Sequence, residues 1–227
     1  MLWLNQVSIV GENGRVPLMS RSRFDQAACD QLAQCVREIE AGTDAELVIV
    51  VRARSGSYAD ADYLCGAILA YAGLLFILFS PWTFSFYWVA IDVALLFAVG
   101  WYVCSRGDTL RRLLTTRQRR AEAVRVNAAA MFYEAGIANT MSEMGVLVYL
   151  SLLERRLELI ADRGVLRAVP PLAWNDCVFD LHKAGRLPQL QSLLEALRNL
   201  GALLAKHLPP TGENPNELSD VPRFELR

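Results

Sequence analysis

The chain has 227 residues, of which 53% are hydrophobic and 21% charged, and its 23 Lys and Arg nearly balance its 24 Asp and Glu. The net charge of -1 argues against a nucleic-acid-binding protein, and the apolar excess argues against a disordered chain. Five Cys and two His without metal-ligand spacing argue against a zinc site or a disulfide framework.

The segment before residue 63 predicts a short extension followed by a helix and a buried strand. We assign residues 1–22 to an N-terminal extension and residues 23–62 to the first part of an α/β domain. Apolar residues recur at helical spacing from Phe24 to Ile39. The run from Ala45 to Val51 is almost continuously apolar and rich in β-branched residues, which is typical of a strand covered on both faces. One strand cannot form a sheet, so its partners must lie further along the chain.

Residues 63–104 predict a transmembrane hairpin. Between Leu64 and Cys104 there is one charged residue, Asp92, in 41 positions. The two apolar segments, 63–79 and 84–104, approach or reach the ~20 residues that a helix needs to cross the hydrocarbon core. A Ser-Pro-Trp sequence at 80–82 separates them. The alternative is a buried helical hairpin of a soluble protein.

The charges around the hairpin predict its orientation. Seven arginines lie between Arg106 and Arg125, after the second span, whereas the loop between the spans carries no charge. The positive-inside rule therefore predicts a multi-pass membrane protein with both termini in the cytoplasm. The same arginines could also contact anionic lipid headgroups.

Asp92 is unusual because a charge at the centre of a membrane helix costs roughly 2.5–3.5 kcal/mol on insertion scales. We therefore expect a partner for it, either the hydroxyl of Tyr71 or a group on another chain. Gly66, Ala70 and Gly73 form a small-residue face that would allow close packing of the two spans.

Residues 105–210 predict the second part of the domain. A helix is expected over 117–135, and strands over 145–152 and 156–162 with a polar Glu154-Arg155 turn between them. Helices are expected over 174–183 and from Pro188 onward, where leucines form an apolar stripe. The acidic tail, residues 211–227, is rich in Pro, Gly and Asn and is predicted to be flexible.

The motifs on both sides of the hairpin resemble the TPM domain. They are Phe24-Asp25, Thr43–Val51, Ala135–Thr140 and the most specific, Gly145–Val165, with Trp174 downstream. The chain is most similar to a bacterial subgroup of membrane proteins in which a hairpin splits the domain, and which tend to carry a tail like Asn216–Leu218. The resemblance covers about residues 23–62 and 115–210. It implies a three-layer α/β/α sandwich, interrupted by the hairpin, in the bacterial inner membrane.

The resemblance leaves two functions open. Some members of the family are described as acid phosphatases, some bind divalent cations, and others act as accessory or assembly factors. Many carry a Gly-Tyr-Gly-Leu-like turn after the third strand, where this chain has Asp162–Val165. We expect a non-enzymatic accessory protein whose partners are the lipid bilayer and other membrane or cytoplasmic proteins, with no nucleic acid. The alternative is a membrane-bound, metal-dependent phosphatase.

Three aspartates are the candidate ligands of a divalent cation. Asp162 follows a predicted strand and precedes a glycine turn, where open α/β sheets usually bind ligands. Asp176 and Asp180 are four residues apart on a predicted helix and share a face. The three could hold Ca²⁺ or Mg²⁺; the alternative is one helix N-terminal acid and two solvated charges. The sequence identifies no catalytic residue, and we predict no organic cofactor.

Overall fold

The computed structural model describes residues 26–82, 85–186, 189–211, 218 and 222–225. The predicted N-terminal extension and most of the tail lie outside these residues. The described helices are α1 (Gln26–Glu40), α2 (Ala59–Phe79), α3 (Phe86–Arg106), α4 (Asp108–Leu114), α5 (Arg117–Glu134), α6 (Arg163–Ala168), α7 (Pro171–Arg186) and α8 (Leu190–His207), with a 3-10 turn at Ile137–Asn139. The described strands are β1 (Glu46–Arg52), β2 (Gly145–Ser151), β3 (Arg156–Ala161) and β4 (Arg223–Glu225).

The strands form one mixed sheet in the order β3-β2-β1-β4. β1 is parallel to β2, with Glu46 opposite Gly145 and Arg52 opposite Ser151, and it is also parallel to β4. β3 returns antiparallel to β2. Both partners of β1 therefore follow the hairpin, as the sequence predicted, and the mixed α/β class is confirmed.

Alternation along the strands divides the core between the two faces of the sheet, since successive side chains of a strand point in opposite directions. Leu47, Ile49 and Val51 pack with residues of α1, α7 and α8. Val48 and Val50 pack on the other face with residues of α5. Both faces of β1 are buried, as its apolar run predicted.

The hairpin consists of α2 and α3, which are both long and apolar enough to cross a membrane. Many of its large apolar side chains are exposed, for example Phe79 at 83% and Leu95 at 58%. The two helices approach closely at glycines. A Cβ on Gly100 would lie 2.9 Å from the Cα of Gly66, and a Cβ on Gly66 would lie 2.8 Å from the carbonyl oxygen of Phe97.

The structure differs from the sequence prediction at three places. A short helix that was not predicted, α4, lies between the second span and α5, because Gly107 and Thr116 have extended backbones that separate α3, α4 and α5. A helix, α6, replaces the predicted turn after β3, because Asp162 caps its first backbone N–H. In the tail, which we expected to be flexible, residues Arg223–Glu225 pair with β1 and cover its otherwise open edge.

Candidate functional site

The three candidate metal ligands lie at the β3–α6 junction and on α7. Asp162 is the N-cap of α6 and accepts a hydrogen bond from the backbone N–H of Arg163 at 2.7 Å. Asp176 and Asp180 are exposed on α7. Among the residues that the structure describes, no group of three or more His, Cys, Asp or Glu could hold a metal ion. The Ca²⁺ or Mg²⁺ site stays a prediction.

Asp92 and Tyr71 both lie on the exposed surface of the hairpin, and no hydrogen bond joins them. The reason is the close contact between the spans, which turns Gly66 and Gly73 toward α3. A Cβ on Gly73 would lie 2.1 Å from Cδ1 of Leu96. Tyr71 lies two residues before Gly73 and so projects from the other side of α2. A partner for Asp92 on another chain stays a prediction.

The arginines that follow the hairpin divide into paired and unpaired groups. Arg111 forms a buried ion pair with Asp62, in the first turn of α2. Arg119 forms an exposed ion pair with Asp60 in the same turn. Acids count for little in predicting orientation, and neither of these two ion pairs was predicted from the sequence.

Further arginines line a cavity of about 350 Å³ at the base of the hairpin. We call this cavity the arginine pocket; its six arginines are Arg112, Arg117, Arg120, Arg155, Arg156 and Arg186. Glu154, Leu157 and His182 also line it. None of the six arginines forms a salt bridge with a described residue. The pocket is therefore a concentration of positive charge whose only lining carboxylate, among the described residues, is that of Glu154.

The arginine pocket places like charges close together. The Nε atoms of Arg112 and Arg120 are buried and have no hydrogen-bond partner. Burial lowers the pKa of Arg112, and repulsion from Arg155 and Arg120 lowers it further, against the attraction of Asp108. Both effects disfavour the charged form of Arg112. The attraction of an anion in the pocket would offset them.

Glu154 lies in the turn between β2 and β3 and is 4% exposed. Its Oε1 accepts hydrogen bonds from the backbone N–H groups of Ser55 and Gly56 at 2.9 and 3.0 Å, and from the hydroxyl of Tyr58 at 2.7 Å. Its Oε2 accepts one from the hydroxyl of Ser151. These four donors satisfy a carboxylate that would otherwise be costly to bury, and they connect the turn to the segment that leads into α2.

The network around Glu154 continues into the sheet and α5. The hydroxyl of Ser55 lies 2.8 Å from that of Tyr149, and Asn127 donates a hydrogen bond to the carbonyl of Ser55 at 2.9 Å. Burial raises the pKa of Tyr58, and its hydrogen bond to Glu154 raises it further. Tyr58 therefore stays protonated and acts as a donor.

The arginine pocket was not predicted from the sequence, although part of its signal was visible. The run of arginines after the second span was interpreted as topogenic or lipid-contacting, and Arg155 as part of a polar turn. His182 lines the pocket with its Nε2 3.6 Å from Glu158. The pocket joins α4, α5, the β2–β3 turn and α7, and only the folded sheet brings these segments together.

Comparison with known proteins shows a shared fold. No protein-family model matches the chain, and no curated protein does. The chain is similar to the NMR structure of the BA42 protein from the psychrophilic bacterium Bizionia argentinensis sp. nov., with a TM-score of 0.53 at 13% identity. The match covers 89% of this chain and 99% of that chain. At this identity the likeness concerns the fold alone.

Proposed function

We propose that this protein is an integral membrane accessory protein. A TPM-like, three-layer α/β/α domain would lie on the cytoplasmic side of the bacterial inner membrane, anchored by the two-helix hairpin, and would bind membrane or cytoplasmic proteins. Helices pack against both faces of the sheet, which supports the layered arrangement.

One observation carries this proposal. β1 and β2 pair residue by residue, although the hairpin lies between them in the chain. The chain therefore leaves the sheet at Arg52, runs out through α2, and returns through α3 to form β2. Two antiparallel spans bring a chain back to the side that it left, so the sheet would be assembled against the membrane surface. A domain held in this way is suited to presenting an interaction face to neighbouring proteins.

The phosphatase alternative has less support. A metal-dependent hydrolase needs several ligands that converge on one ion. Asp176 and Asp180 are exposed on α7, and Asp162 already caps α6. No described contact joins the three aspartates.

The orientation can be tested by labelling intact cells. Thr83→Cys should react with a membrane-impermeant maleimide added outside, whereas Thr211→Cys should react only after permeabilisation. Peptide mass spectrometry would separate these sites from the five native cysteines. The reverse pattern would overturn the orientation.

The accessory role can be tested by cross-linking in membranes, detergent extraction and identification of the retained proteins. A matched control is the hairpin alone, residues 59–106, fused to an unrelated soluble domain. We expect proteins that are retained by the full chain and absent from the control. If no protein is enriched, and the purified chain hydrolyses a phosphomonoester with an activity that Asp162→Asn abolishes, the phosphatase is the better proposal.

A further inference from the structure

The arginine pocket assembles six guanidinium groups that the fold itself does not neutralise. We propose that this pocket binds a phosphate group, carried either by a membrane lipid or by a soluble phosphate compound. The domain does not need this site for its anchoring in the membrane or for its proposed binding of other proteins.

The charge of the arginine pocket favours an anionic ligand. Guanidinium groups stay protonated at all physiological pH values, so the pocket cannot lower its repulsion by losing protons. Arg112 is repelled by Arg155 and Arg120, and the attraction of Asp108 opposes this repulsion. A bound anion would supply the missing counter-charge.

The number of donors in the arginine pocket favours phosphate over a carboxylate as its ligand. A carboxylate has two oxygens and one charge, which a single bidentate arginine satisfies. A phosphate group has more acceptor oxygens and up to two charges, and arginine is the usual side chain for recognising it in a planar, bidentate manner. The Nε–H groups of Arg112 and Arg120 are both buried without a partner. Both belong to side chains that line the cavity, and no described residue satisfies either donor.

The size of the pocket limits the ligand. Its volume of about 350 Å³ is at the lower end of the ~300–1,000 Å³ that is typical of small-molecule sites. This volume accommodates a phosphate with a small attached group, such as a lipid headgroup or a sugar phosphate.

Glu154 also lines the pocket, and its charge would repel an anion. However, both of its oxygens are occupied by the hydrogen bonds from Ser55, Gly56, Tyr58 and Ser151. Its charge is therefore partly compensated by donors on the side of the β1–α2 segment, and the six arginines outnumber it.

The position of the pocket would allow a lipid to supply the phosphate. Arg112 follows Arg111, which is bonded to Asp62 at the start of α2. The pocket is thus adjacent to the base of the hairpin. Only this lipid source rests on the membrane location proposed above, because a soluble phosphate would need no bilayer.

The test uses the full chain in micelles of an uncharged detergent and measures its melting temperature. One series adds inorganic phosphate, with chloride at equal ionic strength as the control. A second series adds phosphatidic acid to the micelles against phosphatidylcholine. A ligand that binds the folded state raises the melting temperature in a saturable manner, and the midpoint gives its apparent affinity.

The variants are Arg112→Gln and Arg186→Gln, with Arg125→Gln as the matched control. Arg186 is exposed at the end of α7, so its replacement should leave the fold intact. Arg186→Gln therefore tests the pocket even if Arg112→Gln does not fold. Arg125 lies on α5 with Arg120 but outside the pocket, and its only ion pair with a described residue is a 3.9 Å contact with Glu122. We expect each pocket variant to weaken the affinity about tenfold, as loss of a charge-assisted contact does, and the control to leave it unchanged.

Each outcome has a defined meaning. Saturable stabilisation by phosphate supports a soluble ligand, and stabilisation by phosphatidic acid alone supports a lipid ligand. Stabilisation by neither, or an equal loss in Arg125→Gln and the pocket variants, overturns the proposal. The result is independent of the labelling and cross-linking tests, so the two proposals can fail separately.

Discussion

Arg111 and Asp62 form a buried, bidentate ion pair at the base of the hairpin. Nε of Arg111 donates a hydrogen bond to Oδ1 of Asp62 at 2.8 Å, and Nη2 donates one to Oδ2 at 2.6 Å. The residues are only 8% and 4% exposed. Since Asp62 lies in the first turn of α2 and Arg111 in α4, the pair fixes the hairpin to the first helix that follows it.

We expect Arg111→Met to destabilise the protein strongly, because it leaves the carboxylate of Asp62 buried without a partner. The loss should be about 3–5 kcal/mol of unfolding free energy, the usual cost of breaking a buried pair. Urea titration in detergent micelles would measure it. The double variant Arg111→Met, Asp62→Leu should recover much of the loss, because no unpaired charge remains.

The matched control for Arg111→Met is Arg119→Met, which removes the neighbouring ion pair with Asp60. Both residues of that pair are exposed, with 51% and 58% of their side chains accessible, so water can solvate the charge that remains. We expect little change in the urea midpoint. Equal losses in the two single variants would contradict the importance of burial at this junction.

Gly56→Ala should disturb the network around Glu154. A Cβ on Gly56 would lie 2.7 Å from the ring and hydroxyl of Tyr58, and Tyr58 is 2% exposed and bonded to Glu154. The ring cannot move without losing that hydrogen bond, so we expect a loss of about 1–3 kcal/mol, as for other overpacked sites. Thermal unfolding and the tyrosine absorbance difference spectrum would report it.

A glycine in an open position provides the comparison for Gly56→Ala. A Cβ on Gly42 would have its nearest neighbours at 3.5 and 3.9 Å, which is ordinary contact. Gly42→Ala should therefore be neutral, or stabilising by about 0.4–1 kcal/mol through the unfolded chain. If both substitutions behave alike, the close approach at Gly56 is not a constraint.

The parts of the fold that were predicted from the sequence are those with a strong local pattern. The run at 45–51 and the strands at 145–152 and 156–162 correspond to β1, β2 and β3 to within one residue at each end. Hydropathy also identified α2 and α3, because a long apolar helix is recognisable without knowing its neighbours. β4 was missed because a three-residue strand has no such pattern and depends on the free edge of β1.

The arginine pocket could not be predicted because no regular spacing in the sequence relates its residues to one another. Arg112 and Arg155 are 43 positions apart in the sequence and meet only when the β2–β3 turn packs beside α4 and α5. Similarly, nothing in the sequence around Asp62 indicates that Arg111, 49 positions away, is its partner. Pairing of this kind depends on tertiary contacts, which periodicity does not encode.

Stability should fall at alkaline pH, and Tyr58 should contribute to that fall. Its pKa and that of Tyr149 are raised by burial. Below about pH 10 both tyrosine hydroxyls are protonated in the folded and in the unfolded chain. Above that pH the unfolded chain releases these protons first, so the unfolding free energy decreases as the pH rises. Tyr58→Phe should make the decrease less steep by up to about 1.4 kcal/mol per pH unit. Unfolding curves between neutral and strongly alkaline pH would measure the two slopes, and parallel slopes would contradict the burial of the Tyr58 hydroxyl.

Divalent cations should have little effect on stability if Asp162, Asp176 and Asp180 are not a metal site. Asp162 already bonds the backbone N–H of Arg163, and the other two aspartates are exposed on α7. We expect Ca²⁺ and Mg²⁺ to shift the melting temperature no more than an ionic-strength control does. A true site would stabilise the folded chain by about 2.7 kcal/mol at one hundred times its dissociation constant.

Asp162→Asn provides a specific check on the cation measurement. Asn caps a helix about as well as Asp, so the variant should melt like the wild type without cations. Its loss of a formal charge would remove most of any cation-dependent stabilisation. A large shift in the wild type that Asp162→Asn abolishes would therefore establish a metal site at the β3–α6 junction, and would make the phosphatase the function to assay.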